Sequence, residues 1–306
     1  METKICKNDF FSDNEIETGE ILKLLPNYQD YFLLVKKKSK IILSNTAFDI
    51  DGQEEEKTDD LDYILLEYEK PKDHKSACSY DNFEFFMYDI FTSYKYLLNT
   101  LQILLNNDIY HLNITESAVY FNKKKLSDLI LYTSMPLLTQ FNKSLCEPTS
   151  KDLKEMVQND TIDAISIYMP LELKLIYYLE HNNHLKFMRE QYEEFYIKYI
   201  YPTRFEIFSE EFSMKYNILC YHYLTNYLNN TTFVIYDKVL KGKHTWDNYS
   251  LSVLYLHEMN KYLKNEYPDN KTLHELSQLL LTNIHPNFNQ RLDIPKTLDC
   301  LNNLKV

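Results

Sequence analysis

The stretch from Phe85 to Asn106 sets the tightest limit on what this chain can become. Its apolar residues Phe86, Ile90, Phe91, Tyr94, Leu97, Leu98, Leu101, Leu104 and Leu105 recur at helical spacing and spread beyond one face. A helix of that kind is buried on most sides, so other elements must enclose it. The sequence supplies them: periodic segments predict helices around 150–158, 171–180, 185–201, 206–228, 232–240, 249–264, 271–282 and 295–304. With only 3 glycines and 9 prolines in 306 residues, the chain lacks the punctuation of a turn-rich β architecture. No apolar stretch approaches the roughly 20 residues that a membrane span requires, so no membrane partner is expected.

The first seventy residues read differently. Ile16, Ile21, Leu22 and Leu25 predict one amphipathic helix over 13–25, with Ser12 or Asp13 as cap and Pro26-Asn27 as stop. Tyr31 to Val35 and Ile41 to Leu43 are strand-like and flank a lysine-rich tip, Lys36-Lys37-Lys38 with Lys40, and Tyr63 to Tyr68 is a third strand-like run. Asp49 to Asp62 is acidic and predicts a loop, while Glu69-Lys70-Pro71-Lys72-Asp73 suits a linker. The expected class is α+β: a helix with a small antiparallel sheet over 1–69, then a mainly helical region over 70–306.

Charge and cysteine usage exclude several functions. With 33 Lys+Arg against 45 Asp+Glu the formal charge is -12, which disfavours phosphate-backbone contact, and the second basic run, Lys123-Lys124-Lys125, reads as a solvated loop. No nucleic-acid partner is expected. Cys6, Cys78, Cys146, Cys220 and Cys300 show no CxxC pair and no ligand-like spacing, which fits reduced thiols in a cytoplasmic protein.

Directly after the long helix comes Ile109-Tyr110-His111-Leu112-Asn113, with Ala118 five residues on and Asp128-Leu129-Ile130 beyond it. Later come Tyr168-Met169-Pro170-Leu171-Glu172, then Trp246-Asp247-Asn248-Tyr249-Ser250-Leu251, then His285-Pro286 leading to Arg291. In this order the segments resemble the catalytic loop, D-F-G, A-P-E, D-x-W-S-L-G and late-arginine signatures of protein kinases. The resemblance is to a degenerate kinase of the kind encoded by large DNA viruses with A+T-rich genomes. It implies a two-lobed fold with a reduced N-lobe over 1–69 and a helical C-lobe over 70–306, in which the long interval from Glu172 to Asp247 holds a helical insertion over 178–245.

The resemblance also assigns roles. His111 stands at the structural histidine of H-R-D, Asn113 at the base Asp, Ala118 at the metal-binding Asn and Asp128 at the D-F-G Asp, where it would hold Mg. Lys4 or Lys7 would anchor the ATP phosphates, with Glu15 or Glu17 as the helical partner, and Glu67 beside the linker is a further candidate on the nucleotide side. Glu172 would pair with Arg291, and Asp247 would brace the backbone near His111.

Phosphoryl transfer is mostly positioning and charge neutralisation. An amide at 113 cannot take a proton at neutral pH. Alanine at 118 offers no oxygen, and Gly19, Gly52 and Gly242 do not form a G-x-G-x-x-G loop. Only a dozen residues precede the first helix, too few for two further strands. The leading expectation is therefore a pseudokinase serving as a binding or regulatory module for a protein partner. One alternative is an active serine/threonine kinase that uses ATP, Mg and Asp128. Another is a helical interaction protein without kinase ancestry.

Overall fold

The computed structural model describes residues 2–41, 63–68, 74–75, 83–122, 136–201, 209–263 and 268–304. Strand β1 (Glu2–Lys7), a segment without a strand pattern in the sequence reading, pairs antiparallel with a partner far along the chain. Helix α1 (Phe10–Leu22) follows at once. It starts before the predicted boundary because Asp9 is the cap. The Asp9 carboxylate accepts the Ser12 amide at 3.1 Å and Ser12 Oγ accepts the Asp9 amide at 3.0 Å, a reciprocal capping box. Of the apolar residues read as its buried face, Leu22 is buried and Ile16 and Leu25 pack against the cores while Ile21 is exposed, and Ser12, Glu15 and Thr18 join the inward side.

Strand β2 (Val35–Ile41) and β3 (Tyr63–Tyr68) complete a three-stranded antiparallel sheet in the order β1-β3-β2. The lysine run is therefore not a hairpin tip. Lys36 to Lys40 lie within β2, an edge strand whose solvent face tolerates ammonium groups. Central β3 alternates as a half-buried strand should, with Ile64, Leu66 and Tyr68 buried. They form a small core with Leu33, Val35 and Leu137. The predicted loop over 49–62, the linker at 69–73, Lys123-Lys124-Lys125 and Asp128 lie outside the described residues.

After β4 (His74–Lys75) comes α2 (Phe83–Asn106), the long helix read from the sequence. Phe86, Tyr94, Leu97, Leu98 and Leu104 are wholly buried. Four short strands follow: β5 (Ile109–Tyr110), β6 (Val119–Asn122), β7 (Leu137–Leu138) and β8 (Leu145–Cys146). They pair as β5-β8 and β4-β6-β7. Runs this short carry no alternation, which is why periodicity does not reveal them.

The remainder is helical: α3 (Ser150–Asn159), α4 (Leu171–His181), α5 (Arg189–Phe195), α6 (Glu210–Leu224), α7 (Thr232–Leu240), α8 (Trp246–Leu263), α9 (Lys271–Asn283) and α10 (Ile294–Asn303). The helix predicted over 185–201 is shorter. Lys186 bridges to Thr231 in extended pairing, α5 starts at Arg189, and it gives way to a π-turn at Tyr196–Ile200. Helix α6 starts at Glu210 because Ser209 caps it, its hydroxyl accepting the Phe212 amide at 3.2 Å.

Helices α8 and α10 and strands β5 and β7 enclose α2. Its seam with α8 and α9 is not purely apolar. The Tyr94 hydroxyl meets Ser252 Oγ at 3.1 Å and accepts from Asn283 at 3.2 Å, and Tyr255 donates to Ser93 Oγ at 2.8 Å. Buried hydroxyls are thereby satisfied across three helices. The chain is thus a helix-dominated α+β fold with small antiparallel sheets.

Candidate functional site

The long helix ends at Asn106, the turn passes through Asp108 with φ 53°, and β5 delivers His111 into the core. Leu112 is left-handed, with φ 58°. That conformation is costly for leucine and persists only where surrounding contacts fix it. Just before it, two successive amides converge on one point, a concavity suited to an anion. Asp247 fills it, accepting the His111 amide at 2.8 Å and the Leu112 amide at 2.9 Å. Asp247 lies in the first turn of α8, where the helix dipole also favours a carboxylate. Burial nevertheless pushes its carboxyl up to about 6, with the two amides pulling the other way.

The His111 ring is wholly buried. Its Nε2 donates to the Thr139 carbonyl at 2.8 Å and its Nδ1 accepts the Asn113 amide at 3.3 Å. Only the neutral imidazole can make both bonds. Burial accordingly lowers its pKa to about 4. Phe141 packs 4.7 Å away, centroid to centroid, and Phe32 stands against Phe141 at 5.7 Å.

Around Asn113 the structure gathers amides. Asn113 Nδ2 donates to Asn142 Oδ1 at 3.1 Å. Asn14, on α1, donates to the carbonyls of Asn142 and Ser144, each at 2.8 Å. Ser117 Oγ donates to Gln140 Oε1 at 3.1 Å, and Gln140 is itself left-handed, with φ 61°. Ala118 is buried and presents a methyl group. Asn14, Gln140 and Asn142 are absent from the sequence-derived site; an apolar pair, Leu137-Leu138, running into Thr139-Gln140-Phe141 was the available signal. Asp128 drew the motif to itself because it kept an acidic side chain, and it lies outside the described residues.

Magnesium asks for hard, usually anionic oxygens in near-octahedral array. Asn113, Asn142, Ser117 and Gln140 are neutral and bond in two pairs, Asn113 to Asn142 and Ser117 to Gln140, so this donor set does not fit the ion. Nor do these residues supply a base, because an amide nitrogen or oxygen takes no proton at neutral pH.

On the sheet side, Lys4 Nζ lies 3.6 Å from Glu15 Oε2, and the Tyr68 hydroxyl donates to Glu15 Oε1 at 2.6 Å. Glu15 is buried, so this carboxylate is not a solvated surface group but a paired internal charge. Glu67 pairs instead with Lys37 at 3.5 Å across the β2–β3 ladder.

Below the loop, Glu172 and Arg291 make a bidentate pair, Nη1–Oε1 at 2.7 Å and Nη2–Oε2 at 2.9 Å, with both side chains wholly buried. The remaining donors are satisfied. Arg291 Nε donates to the His285 carbonyl at 2.6 Å and Nη2 to the Pro286 carbonyl at 3.0 Å, while Trp246 Nε1 donates to Glu172 Oε1 at 3.0 Å. Trp246 stands next to Asp247, so the loop brace and this pair share the start of α8.

No known family profile matches the chain, and no curated protein matches it. Among solved structures, a chain of the yeast RNA Pol II CTD kinase CTDK-1 complex is similar in arrangement, with a TM-score of 0.41 and 11% identity, covering 97% of this chain and 83% of that chain. An overlap that loose carries no role from one protein to the other.

Proposed function

We propose that this chain is a pseudokinase: a kinase-like, two-lobed scaffold that binds a protein partner and performs no phosphoryl transfer. The single observation that carries the reading is the Asn113–Asn142 amide pair, with Nδ2 to Oδ1 at 3.1 Å, standing where transfer chemistry needs a carboxylate base. The braces behind it are charged and complete: Asp247 on the His111 and Leu112 amides, and Glu172 on Arg291. Such a division fits a protein that keeps the shape of a kinase and has given up its reaction.

Residues 1–69 and 70–306 are the proposed lobes. The partner surface is proposed on the 178–245 segment, which exposes Leu185, Ile197, Met214 and Phe233. The test is a transfer assay with ATP and Mg on a generic protein substrate. Incorporation of label should match a protein-free blank; incorporation that Asp128→Ala abolishes would overturn the reading.

A second reading, retained nucleotide binding without transfer, is favoured by the Lys4–Glu15 pair, which holds an ammonium at the sheet edge beside a buried carboxylate. A nucleotide bound only by the folded state raises thermal stability. A rise in Tm with millimolar ATP that Lys4→Met removes would support this reading, and no rise would dismiss it.

A further inference from the structure

We infer that Lys174 and Asn217 form a binding site for one compact monoanion, a chloride or a single carboxylate group, in the cleft between α4 and α6. The cavity there has a volume of about 220 Å³ with its open mouth included, and its walls include Lys174, Ile200, Tyr216, Asn217, Cys220 and Tyr249. The innermost space admits about one water-sized group, which sets the size of what can enter.

Two polar side chains on this cavity are more than nine-tenths buried, Lys174 with 4% exposed and Asn217 with 8%. Among the described residues neither side chain has a hydrogen-bond or ion-pair partner, and their polar atoms keep only a slight contact with the open mouth of the cavity. An ammonium withdrawn from water without a counter-charge is strongly disfavoured. Among the described residues, neither of the usual solutions, a neighbouring carboxylate or a ring of carbonyls, is built here.

Among the described residues, the groups that face Lys174 leave the cavity with one sign of charge. On its own helix, Glu172 is committed to Arg291. On α6, burial pushes the Cys220 thiol up to about 12, so it stays protonated, and the Tyr216 hydroxyl is engaged by Tyr249 at 3.2 Å and by the Ile284 carbonyl at 3.1 Å. On α8, the Tyr249 ring carries the Arg291 guanidinium over it at 4.8 Å. Burial lowers the Lys174 ammonium to about 8, which leaves it mostly charged at neutral pH. An ammonium and an amide N–H on one small, otherwise apolar wall are the donors a single anion asks for.

This inference does not depend on the kinase-like reading. Thermal unfolding of the full chain at constant ionic strength tests it, with sodium chloride or sodium acetate replacing the sodium salt of a bulky sulfonate. At pH 6.5 the wild-type Tm should rise by about 2–4 °C as the compact anion is added. At pH 9.5, where the amine is neutral, the rise should vanish; Lys174→Met should show none at either pH. A rise with both salts identifies any compact anion as the ligand, and a rise with acetate alone identifies a carboxylate. No anion-specific rise in the wild type at pH 6.5, a rise that persists at pH 9.5, or an equal rise in Lys174→Met would overturn the site. Should Lys174→Met fail to fold, the pH comparison in the wild type decides, together with Asn217→Leu, in which the anion concentration at half-effect should increase about tenfold.

Discussion

Asp247 joins the first turn of α8 to the backbone of His111, 136 residues earlier in the chain, by accepting two consecutive amides at 2.8 and 2.9 Å. Both N–H groups converge on the one carboxylate immediately before the left-handed Leu112. Everything at the candidate site is positioned from here: the His111 ring, the Asn113 amide it receives, and the Thr139 carbonyl beyond.

Replacing Asp247 with alanine should therefore destabilise the whole molecule. Two buried amides would lose their acceptor and Leu112 would lose the contact that holds its conformation. Each orphaned donor costs about 1–3 kcal/mol, so a loss of roughly 2–5 kcal/mol is expected. Urea unfolding would report it as a lower midpoint with an unchanged slope. A midpoint within experimental error of the wild type would mean that the amides find water instead.

For the Glu172–Arg291 pair the expected asymmetry is between single and double changes. Glu172→Ala strands a wholly buried guanidinium and removes the acceptor of Trp246 Nε1, which should cost about 3–5 kcal/mol. Exchanging both residues, Glu172→Gln with Arg291→Met, removes the two charges together and should cost less than either single change. A double-mutant cycle on chemical unfolding measures this coupling directly. Strict additivity would show that the two side chains are not paired in solution.

How far these relationships were legible in the sequence follows from their physical scale. Helix α2 announced itself because seven turns of apolar residues repeat a period, and the Tyr63–Tyr68 strand because Ile64, Leu66 and Tyr68 alternate. Helix α1 is legible only in part: Leu22, Ile16 and Leu25 mark its packed side, but Ser12, Glu15 and Thr18, with short or paired side chains, look like a solvent face. The lysine run reads as a turn in the sequence, since ammonium groups look alike on an edge strand and on a loop. At the site, His111, Asn113 and Asp247 could be singled out by their order along the chain. Gln140 and Asn142 could not: two amides carry no motif, and what makes them neighbours of Asn113 is the folding back of a strand two residues long.

A packing prediction concerns Gly242, at the bend between α7 and α8. A Cβ there would come within 2.6 Å of Phe288 Cγ and 3.0 Å of Phe288 Cβ. Since the near-backbone atom is involved, turning the ring about χ2 does not relieve the clash. Gly242→Ala should lower stability by about 1–3 kcal/mol, the usual range for overpacking. Combining it with Phe288→Ala, which removes Cγ and Cδ1, should cost less than the sum of the two single changes if the clash is the cause, and thermal unfolding of the three variants separates the cases.

The pH response at the His111–Asp247 contact has opposing parts with definite signs. Buried His111 has its pKa lowered to about 4 from 6.5, so between those values the unfolded chain binds a proton that the native state refuses, and stability falls as pH falls. Buried Asp247 has its pKa raised to about 6 from 3.8, so in that window the native state binds the extra proton, and stability rises as pH falls. In the wild type the two contributions offset each other between about pH 6 and pH 4. Asp247→Asn removes the second and leaves the first. The stability gap between wild type and this variant should then widen as pH drops from 7 to 4, by on the order of 2–3 kcal/mol, with all other titrating groups cancelling in the difference. Urea unfolding of both proteins at four or five pH values gives the gap directly. A gap that narrows on acidification would mean that the two amides outweigh burial and hold the Asp247 carboxyl below its ordinary value.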